Sequence, residues 1–317
     1  MNGTQLLFIF IMIALYTGQN FFCKKFSFSY KGDESHATPV LTIVGGLIVA
    51  AVSFAFSGFV FKAGPITLLL GIINAFALYG YNYFILKASA TGPYSVLIVF
   101  TIFGGISMPS IAKWIGFGKI MSGPAICFLV LILLSVYLMS IKPKDENREK
   151  LDRISPAFLI YSICLAICNG TYATILAVQQ EITGESEKEG LIIVTFTLGA
   201  IISLISLAVR KADIKQAMKQ TKQSLTHLLI YAFCAAFAVN SLVIILLLEI
   251  DTGVLYTVQN AGVMLMSVVL SLICFKEKLT KVNTIGCIIM TASLVGITVF
   301  AETSFAQLIG VLSSLIA

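Results

Sequence analysis

The chain reads as a succession of long apolar runs separated by short polar stretches. Ten runs approach or exceed the roughly 20 mainly apolar residues that a helix needs to cross a bilayer. They cover residues 3–22, 37–58, 64–90, 93–112, 122–141, 156–180, 190–209, 227–250, 252–275 and 282–301. In hydrocarbon every backbone N–H and C=O needs a partner within the protein, so runs of this length predict helices. Barrel strands would be about half as long and would alternate in polarity. The punctuation between runs agrees. Ser155-Pro156 reads as an N-cap followed by proline at the first helical position. Pro39, Pro65, Pro93 and Pro124 also sit near starts, and Pro109, late in the fourth run, predicts a kink. Small residues four apart, Ala14/Gly18, Ser53/Ser57 and Ser267/Ser271, allow helices to approach closely. Lys24-Lys25 are expected to end the first helix. No basic n-region precedes that run and no small-residue cleavage site follows it, so it reads as a retained helix.

Composition turns this pattern into a solvent argument. Hydrophobic residues make up 58% of the 317 positions and charged residues 11%, where a soluble domain carries roughly 25% charged. Mean hydropathy is +0.97, and no polar stretch is long enough to build a soluble core. The net charge of +6 reflects lysine and arginine kept on one side of a bilayer, and it gives no reason to expect a nucleic-acid partner. Seventeen of the 21 basic residues fall in alternate loops on one side of the expected topology. The other side holds Lys62, Lys113, Lys119 and Lys188. The positive-inside rule makes the richer side cytoplasmic and puts both termini outside, as a multi-pass protein of the cell membrane. The seven cysteines lie mostly in apolar runs with no disulfide or metal spacing. Cys164 and Cys168 share a helix face without a histidine to accompany them.

The long polar stretch at 142–153 divides the runs five and five. The expected organisation is a first repeat at 1–141, a linker at 142–155, a second repeat at 156–302 and a short tail at 303–317. Ala75-Phe76-Ala77 recurs as Ala236-Phe237-Ala238, and Thr91-Gly92 recurs at the same offset as Thr252-Gly253. Gly18-Gln19-Asn20 resembles Gly170-Thr171-Tyr172. Because five is odd, a duplication inverts the second half. The expected fold is therefore all-α: a polytopic membrane protein of ten transmembrane helices arranged as two inverted five-helix repeats. That arrangement is a signature of secondary transporters.

No catalytic motif accompanies these helices. There is no Gly-rich phosphate loop, no His-Glu-x-x-His and no Gly-x-Ser-x-Gly elbow. We expect no enzyme, no ATP-driven engine, no cofactor and no metal. The remaining candidates are polar side chains at membrane depth, which usually face a bundle interior or a wet cavity. They are Tyr16, Gln19 and Asn20 on the first helix and Asn74, Tyr79, Tyr81 and Asn82 on the third. The sixth contributes Asn169 and Tyr172, the eighth Asn240, and the ninth Tyr256, Gln259 and Asn260. Amides and phenols combine donors and acceptors with flat apolar faces, which suits a small neutral or zwitterionic substrate. The competing reading of each is an amide that merely bonds a neighbouring helix. Tyr83 and Tyr94 read as interfacial belt residues. The first helix has no carboxylate to hold a lipophilic cation, and no Arg or Lys sits in mid-helix to hold phosphate. Lys87, Lys113, Glu249 and Asp251 fall near helix ends and should snorkel. Of these, Glu249 and Asp251 are the nearest candidates for proton coupling.

The turn Phe275-Lys276-Glu277-Lys278-Leu279-Thr280, followed by Gly286 and a closing apolar helix, resembles the Gly-Glu-Arg-Leu-Thr turn of the drug/metabolite transporter (DMT) superfamily, in particular its EamA-like ten-helix members. The five-plus-five duplication is similar too, over the whole chain. Two features depart: the corresponding first-half turn, residues 114–119, lacks the glutamate, and the ninth helix lacks the family's frequent proline. The resemblance implies a carrier of small metabolites, amino-acid-like or related, working by alternating access in the direction of export, with lipid and the substrate as partners, as a monomer or homodimer. The alternative class is a non-transporting membrane sensor or scaffold that binds a small ligand.

Overall fold

The computed structural model of the protein describes residues 3–118, 122–141, 154–211, 217, 219–246, 252–277 and 279–299. Among them ten helices follow one another: α1 (Gly3–Ser29), α2 (Glu34–Phe56), α3 (Pro65–Thr91), α4 (Tyr94–Phe117), α5 (Gly123–Met139), α6 (Pro156–Thr183), α7 (Lys188–Val209), α8 (Leu225–Leu246), α9 (Thr252–Cys274) and α10 (Lys281–Val299). Six of them, α1 to α4, α6 and α7, are long and apolar enough to cross a membrane, and the other four carry shorter apolar stretches among the described residues. The expected linker and tail, and with them Glu249 and Asp251, fall almost wholly outside the described residues.

Polarity is distributed as lipid demands. Phe76, Ile273 and Ile288 on outward faces are 62%, 68% and 63% exposed, while Asn74, Thr195 and Ser53 inside the bundle are fully buried. A water-soluble bundle would be arranged the other way round. In lipid, small residues and hydrogen bonds hold helices together because the tails offer no hydrophobic drive. The tightest approach joins α4 to α6 at Gly104 and Gly170. A Cβ on Gly104 would lie 2.0 Å from the Ala166 carbonyl oxygen, and one on Gly170 would lie 2.7 Å from the Gly104 carbonyl oxygen. The remaining main packing pairs α3 with α6 and α7, α2 with α7 and α8, α1 with α8 and α9, α4 with α9, and α5 with α10. α4 runs on through Pro109 as one helix.

Local chemistry sets the helix ends. The Ser155 hydroxyl accepts from Phe158 N at 3.1 Å ahead of Pro156, as the sequence predicts. Asp33 caps α2 by accepting from Ser35 N at 2.8 Å. At the start of α10, Thr280 and Asn283 cap one another: Thr280 Oγ1 accepts from Asn283 N at 3.1 Å, and Asn283 Oδ1 accepts from Thr280 N at 3.2 Å. The first helix differs from expectation. It passes through Lys24 and Lys25 and stops only at Ser29. Lys24 does not meet headgroups; it turns inward to a carboxylate and is 2% exposed.

Contacts between ends sort the helices by direction. Ser29 at the close of α1 bonds His227 in the first turn of α8 at 2.9 Å. Lys87 near the end of α3 meets Glu34 at the start of α2 at 2.6 Å. Phe158, at the start of α6, packs over Gly92 between α3 and α4. Asn283 in α10 donates to the Met139 carbonyl closing α5 at 3.0 Å. These junctions share one end of the bundle with Lys24, Lys25, Lys31, Lys87 and Lys276, and it is called the basic end below. At the opposite end, Glu187 between α6 and α7 accepts from Gly64 N at 2.9 Å and from the Thr67 hydroxyl at the start of α3.

Candidate functional site

A cavity of about 560 Å³ runs down the inside of the bundle. Its wall takes Tyr16, Gln19 and Asn20 from α1, Tyr81 from α3, and Thr101, Pro109 and Ser110 from α4. From the other half come Asn169, Tyr172, Gln179 and Gln180 of α6, Lys188 and Phe196 of α7, Tyr231 of α8, and Gln259 and Asn260 of α9. At 1.5 Å per residue, Tyr231 lies about 9 Å from the basic end of α8, whereas Gln180 lies about 36 Å along α6 from that same end. The cavity therefore extends to the opposite end, where Lys188 stands, and stops short of the basic end.

Polar links between helices tie the wall together. Asn169 Nδ2 donates to the Thr101 carbonyl at 2.7 Å, tying α6 to α4. Tyr81 donates to Asn20 Oδ1 at 3.4 Å, tying α3 to α1. Tyr231 donates to Asn82 Oδ1 at 3.2 Å, and Asn82 Nδ2 donates to Thr42 at 3.0 Å, which anchors the floor in the packed core. Tyr172 meets Phe196 edge to face at 6.4 Å. Gln19, Gln179 and Gln259 each keep a carbonyl oxygen with no hydrogen-bond partner among the described residues.

The structure separates the expected site residues into two sets. Tyr16, Asn20, Asn169, Tyr172, Gln259 and Asn260 line the cavity. Asn74, Tyr79, Asn82 and Asn240 do not. Asn74 donates to Thr195 at 3.4 Å, Tyr79 bonds Ser206 at 2.9 Å, and Asn240 donates to Ser53 at 2.9 Å and to the Ala236 carbonyl at 2.8 Å. With Asn82 on Thr42, these four sit between α3 and α7, α8 and α2, or α3 and α2, in the role of inter-helix links. The side chain of Tyr256 lies outside the described residues. Tyr94, expected in the interfacial belt, is fully buried, because its ring packs in the core against Phe275, with centroids 5.3 Å apart, while its backbone N–H and that of Ser95 donate to Glu277. The wall also includes Tyr231, Lys188 and the α7 face, which the sequence did not single out. Tyr231 stands only six positions into α8, where a tyrosine reads as a belt residue.

At the opposite end, the hydrogen bonds from the Thr67 side chain and the Gly64 backbone hold the Glu187 carboxyl below the usual carboxylate range. Among the described residues no group of three or more His, Cys, Asp or Glu is arranged to hold a metal ion.

No protein-family profile matches the chain. No curated protein matches it either. Solved structures do: 23 chains match. One of them, a crystal structure of a protein, aligns at a TM-score of 0.61 with 12% identity, covering 95% of this chain and 99% of its own. At that identity the likeness establishes a shared fold over 95% of this chain and nothing about chemistry.

Proposed function

We propose that the protein is a secondary carrier moving a small neutral or zwitterionic organic solute across the cell membrane by alternating access. The observation that carries this reading is the deep cavity of about 560 Å³ whose wall is drawn from helices of both halves of the chain. The helix pairing supports it. Exchanging each helix for the one five places away turns α3–α6 into α8–α1, α3–α7 into α8–α2, and α4–α6 into α9–α1. It returns α2–α7, α4–α9 and α5–α10 to themselves. The end of α1 and the start of α6 both lie at the basic end, so corresponding helices run in opposite directions. This is the pattern expected of ten spanning helices in two inverted five-helix repeats, with a site at their interface. The resemblance of the 275–280 turn to EamA-like members of the DMT superfamily points the same way and favours export.

The lining narrows the solute. Among the described lining residues Lys188, at the mouth, is the one lysine, arginine, aspartate or glutamate; the others are amides, hydroxyls, phenols and apolar groups. Such a wall suits a solute without net charge that carries several donors and acceptors. The unpaired oxygens of Gln19, Gln179 and Gln259 each gain a partner if the amide turns toward a bound donor.

Counterflow tests the reading. Proteoliposomes loaded with unlabelled neutral amino acids are diluted into the same compounds carrying radiolabel. Transient uptake of at least one compound above protein-free vesicles is expected. Gln259→Ala should weaken its affinity by about fivefold, the size of one lost hydrogen bond, while Asn74→Ala leaves it unchanged. A thermal shift with these compounds but no counterflow would favour the sensor or scaffold, and neither response would exclude this solute class.

A further inference from the structure

The packed core between the cavity and the basic end holds a buried ion pair. Lys24 Nζ lies 3.0 Å from Glu277 Oε1 and 3.4 Å from the Gly92 carbonyl oxygen, with the Phe275 ring centroid 4.6 Å away. Glu277 also accepts from the backbone N–H groups of Tyr94 and Ser95 and from the Ser95 hydroxyl. The two charged side chains are 2% and 4% exposed. One carboxylate thus joins α1, the turn from α3 to α4 and the turn from α9 to α10, across both halves of the chain.

We propose that the Lys24–Glu277 pair is the latch that holds the basic end shut, and that it parts when the cavity opens to that side. The proposal rests on the alternating-access reading and deepens it by naming the contact that decides which face is closed. A buried ion pair is a poor choice for a permanent seal, because its desolvation cost offsets much of its attraction and apolar packing would close the gap as well. It is well suited to a reversible one. The attraction is strong while the layer is dry and fades when water enters, and each ion then regains hydration. Such a contact has two stable arrangements, dry and joined or wet and apart, as a switching element requires.

The two ends differ in this respect. By the Gly18/Gly170 correspondence, the position matching Lys24 is Leu176, an apolar residue in the cavity wall. The first-half turn matching 275–280 is residues 114–119, which contain no carboxylate. Glu187, the carboxylate that links elements at the open end, is only partly buried. By this correspondence the Lys24–Glu277 pair has no sequence counterpart in the other half of the chain.

Hydrogen–deuterium exchange of the full chain in nanodiscs, comparing wild type with Glu277→Gln and Lys24→Gln, tests the proposal. A latch predicts about tenfold faster exchange in peptides covering 22–30, 91–97 and 272–277. Peptides covering 176–192 should exchange more slowly, because the mouth closes as the latch opens. Faster exchange at the basic end with no slowing at the mouth makes the pair a structural staple and overturns the proposal. No change at either end also overturns it. Lys24→Gln leaves every hydrogen bond from α4 to Glu277 in place, so it separates loss of the ion pair from loss of the helix cap. If Glu277→Gln exchanges faster throughout, as an unfolded chain would, the Lys24→Gln result decides. Wild-type counterflow is measured alongside: no flux together with reciprocal exchange would remove the carrier reading and leave a two-state latch.

Discussion

The two ends of the bundle solve the same problem with different chemistry. Each uses a glutamate from one inter-helix turn to accept hydrogen bonds at the start of another helix, two backbone N–H groups at the basic end and one backbone N–H and a threonine hydroxyl at the other. At the basic end Glu277 accepts from Tyr94 and Ser95 and is buried against Lys24. At the opposite end Glu187 accepts from Gly64 and Thr67 and stays partly open to solvent. A carboxylate at a helix N-terminus is favoured by the helix dipole and the unpaired N–H groups in both places. What differs is the surroundings. Without water, Glu277 depends on its cation, and the three elements it touches must move together. Glu187 can exchange its partners for water at little cost. The lesson is that similar hydrogen bonds make a closed face or an open one according to whether the carboxylate is desolvated with a counter-charge.

Breaking the buried side should have the largest effect. Glu277→Ala leaves Lys24 buried without its carboxylate, and removing one partner of a buried pair costs about 3–5 kcal/mol. A fall in unfolding free energy of that size in detergent micelles is expected; a loss below about 1 kcal/mol, typical of exposed pairs, would mean that water already reaches the site. Next comes the crossing between the ends, where α4 meets α6. Gly104→Ala places a methyl 2.0 Å from a backbone oxygen, so the helices must separate. Overpacking of this kind costs about 1–3 kcal/mol, and the same substitution should lower counterflow by moving the Asn169–Thr101 link in the cavity wall. The smallest effect belongs to Glu187→Gln, which should shift the melting temperature far less than Glu277→Ala; an equal shift would erase the contrast between the ends.

Acid sharpens the same contrast. Thr67 and Gly64 lower the folded-state pKa of Glu187. Its contribution to stability is therefore complete above the ordinary carboxylate pKa and is lost as pH falls through the lowered value. Ser35, through its side chain and its backbone N–H, does the same for Asp33 at the start of α2. Stability measured from neutral pH downward should stay level until the acid carboxylate range and then decline. Glu187→Gln should remove part of that decline, and an unchanged acid limb would mean the capping bonds are not populated.

Much of the frame was legible because its signals are local. Apolar length gave the helices, and Ser155-Pro156 gave the start of α6 with its cap bond in place. The glutamate of the 275–280 turn stands out in the sequence, whereas its partners on α1 and α4 lie 182 to 253 positions away. The cavity was legible only in part, because an asparagine in an apolar helix reads the same whether it faces a void or a neighbour. Asn74, Asn82 and Asn240 each meet a hydroxyl, on Thr195, Thr42 and Ser53. Those meetings depend on the register of another helix, which no single helix encodes. Asn169 turns its amide to a backbone carbonyl and still borders the cavity. Lys24 misled for a related reason: a lysine at an apolar boundary reads as a stop unless a distant carboxylate awaits it.

If the two ends open in alternation, distances across them must change in opposite senses. In a background without the seven native cysteines, spin labels at Lys31 and Lys276 report on the basic end, and labels at Leu7, in the first turns of α1, and Ser186, between α6 and α7, report on the opposite end. Double electron–electron resonance in nanodiscs should find a short distance at the basic end with a long one at the other in the wild type. With Glu277→Gln, the first should lengthen and the second shorten. Distances that stay fixed at both ends, or that lengthen together, would contradict the account.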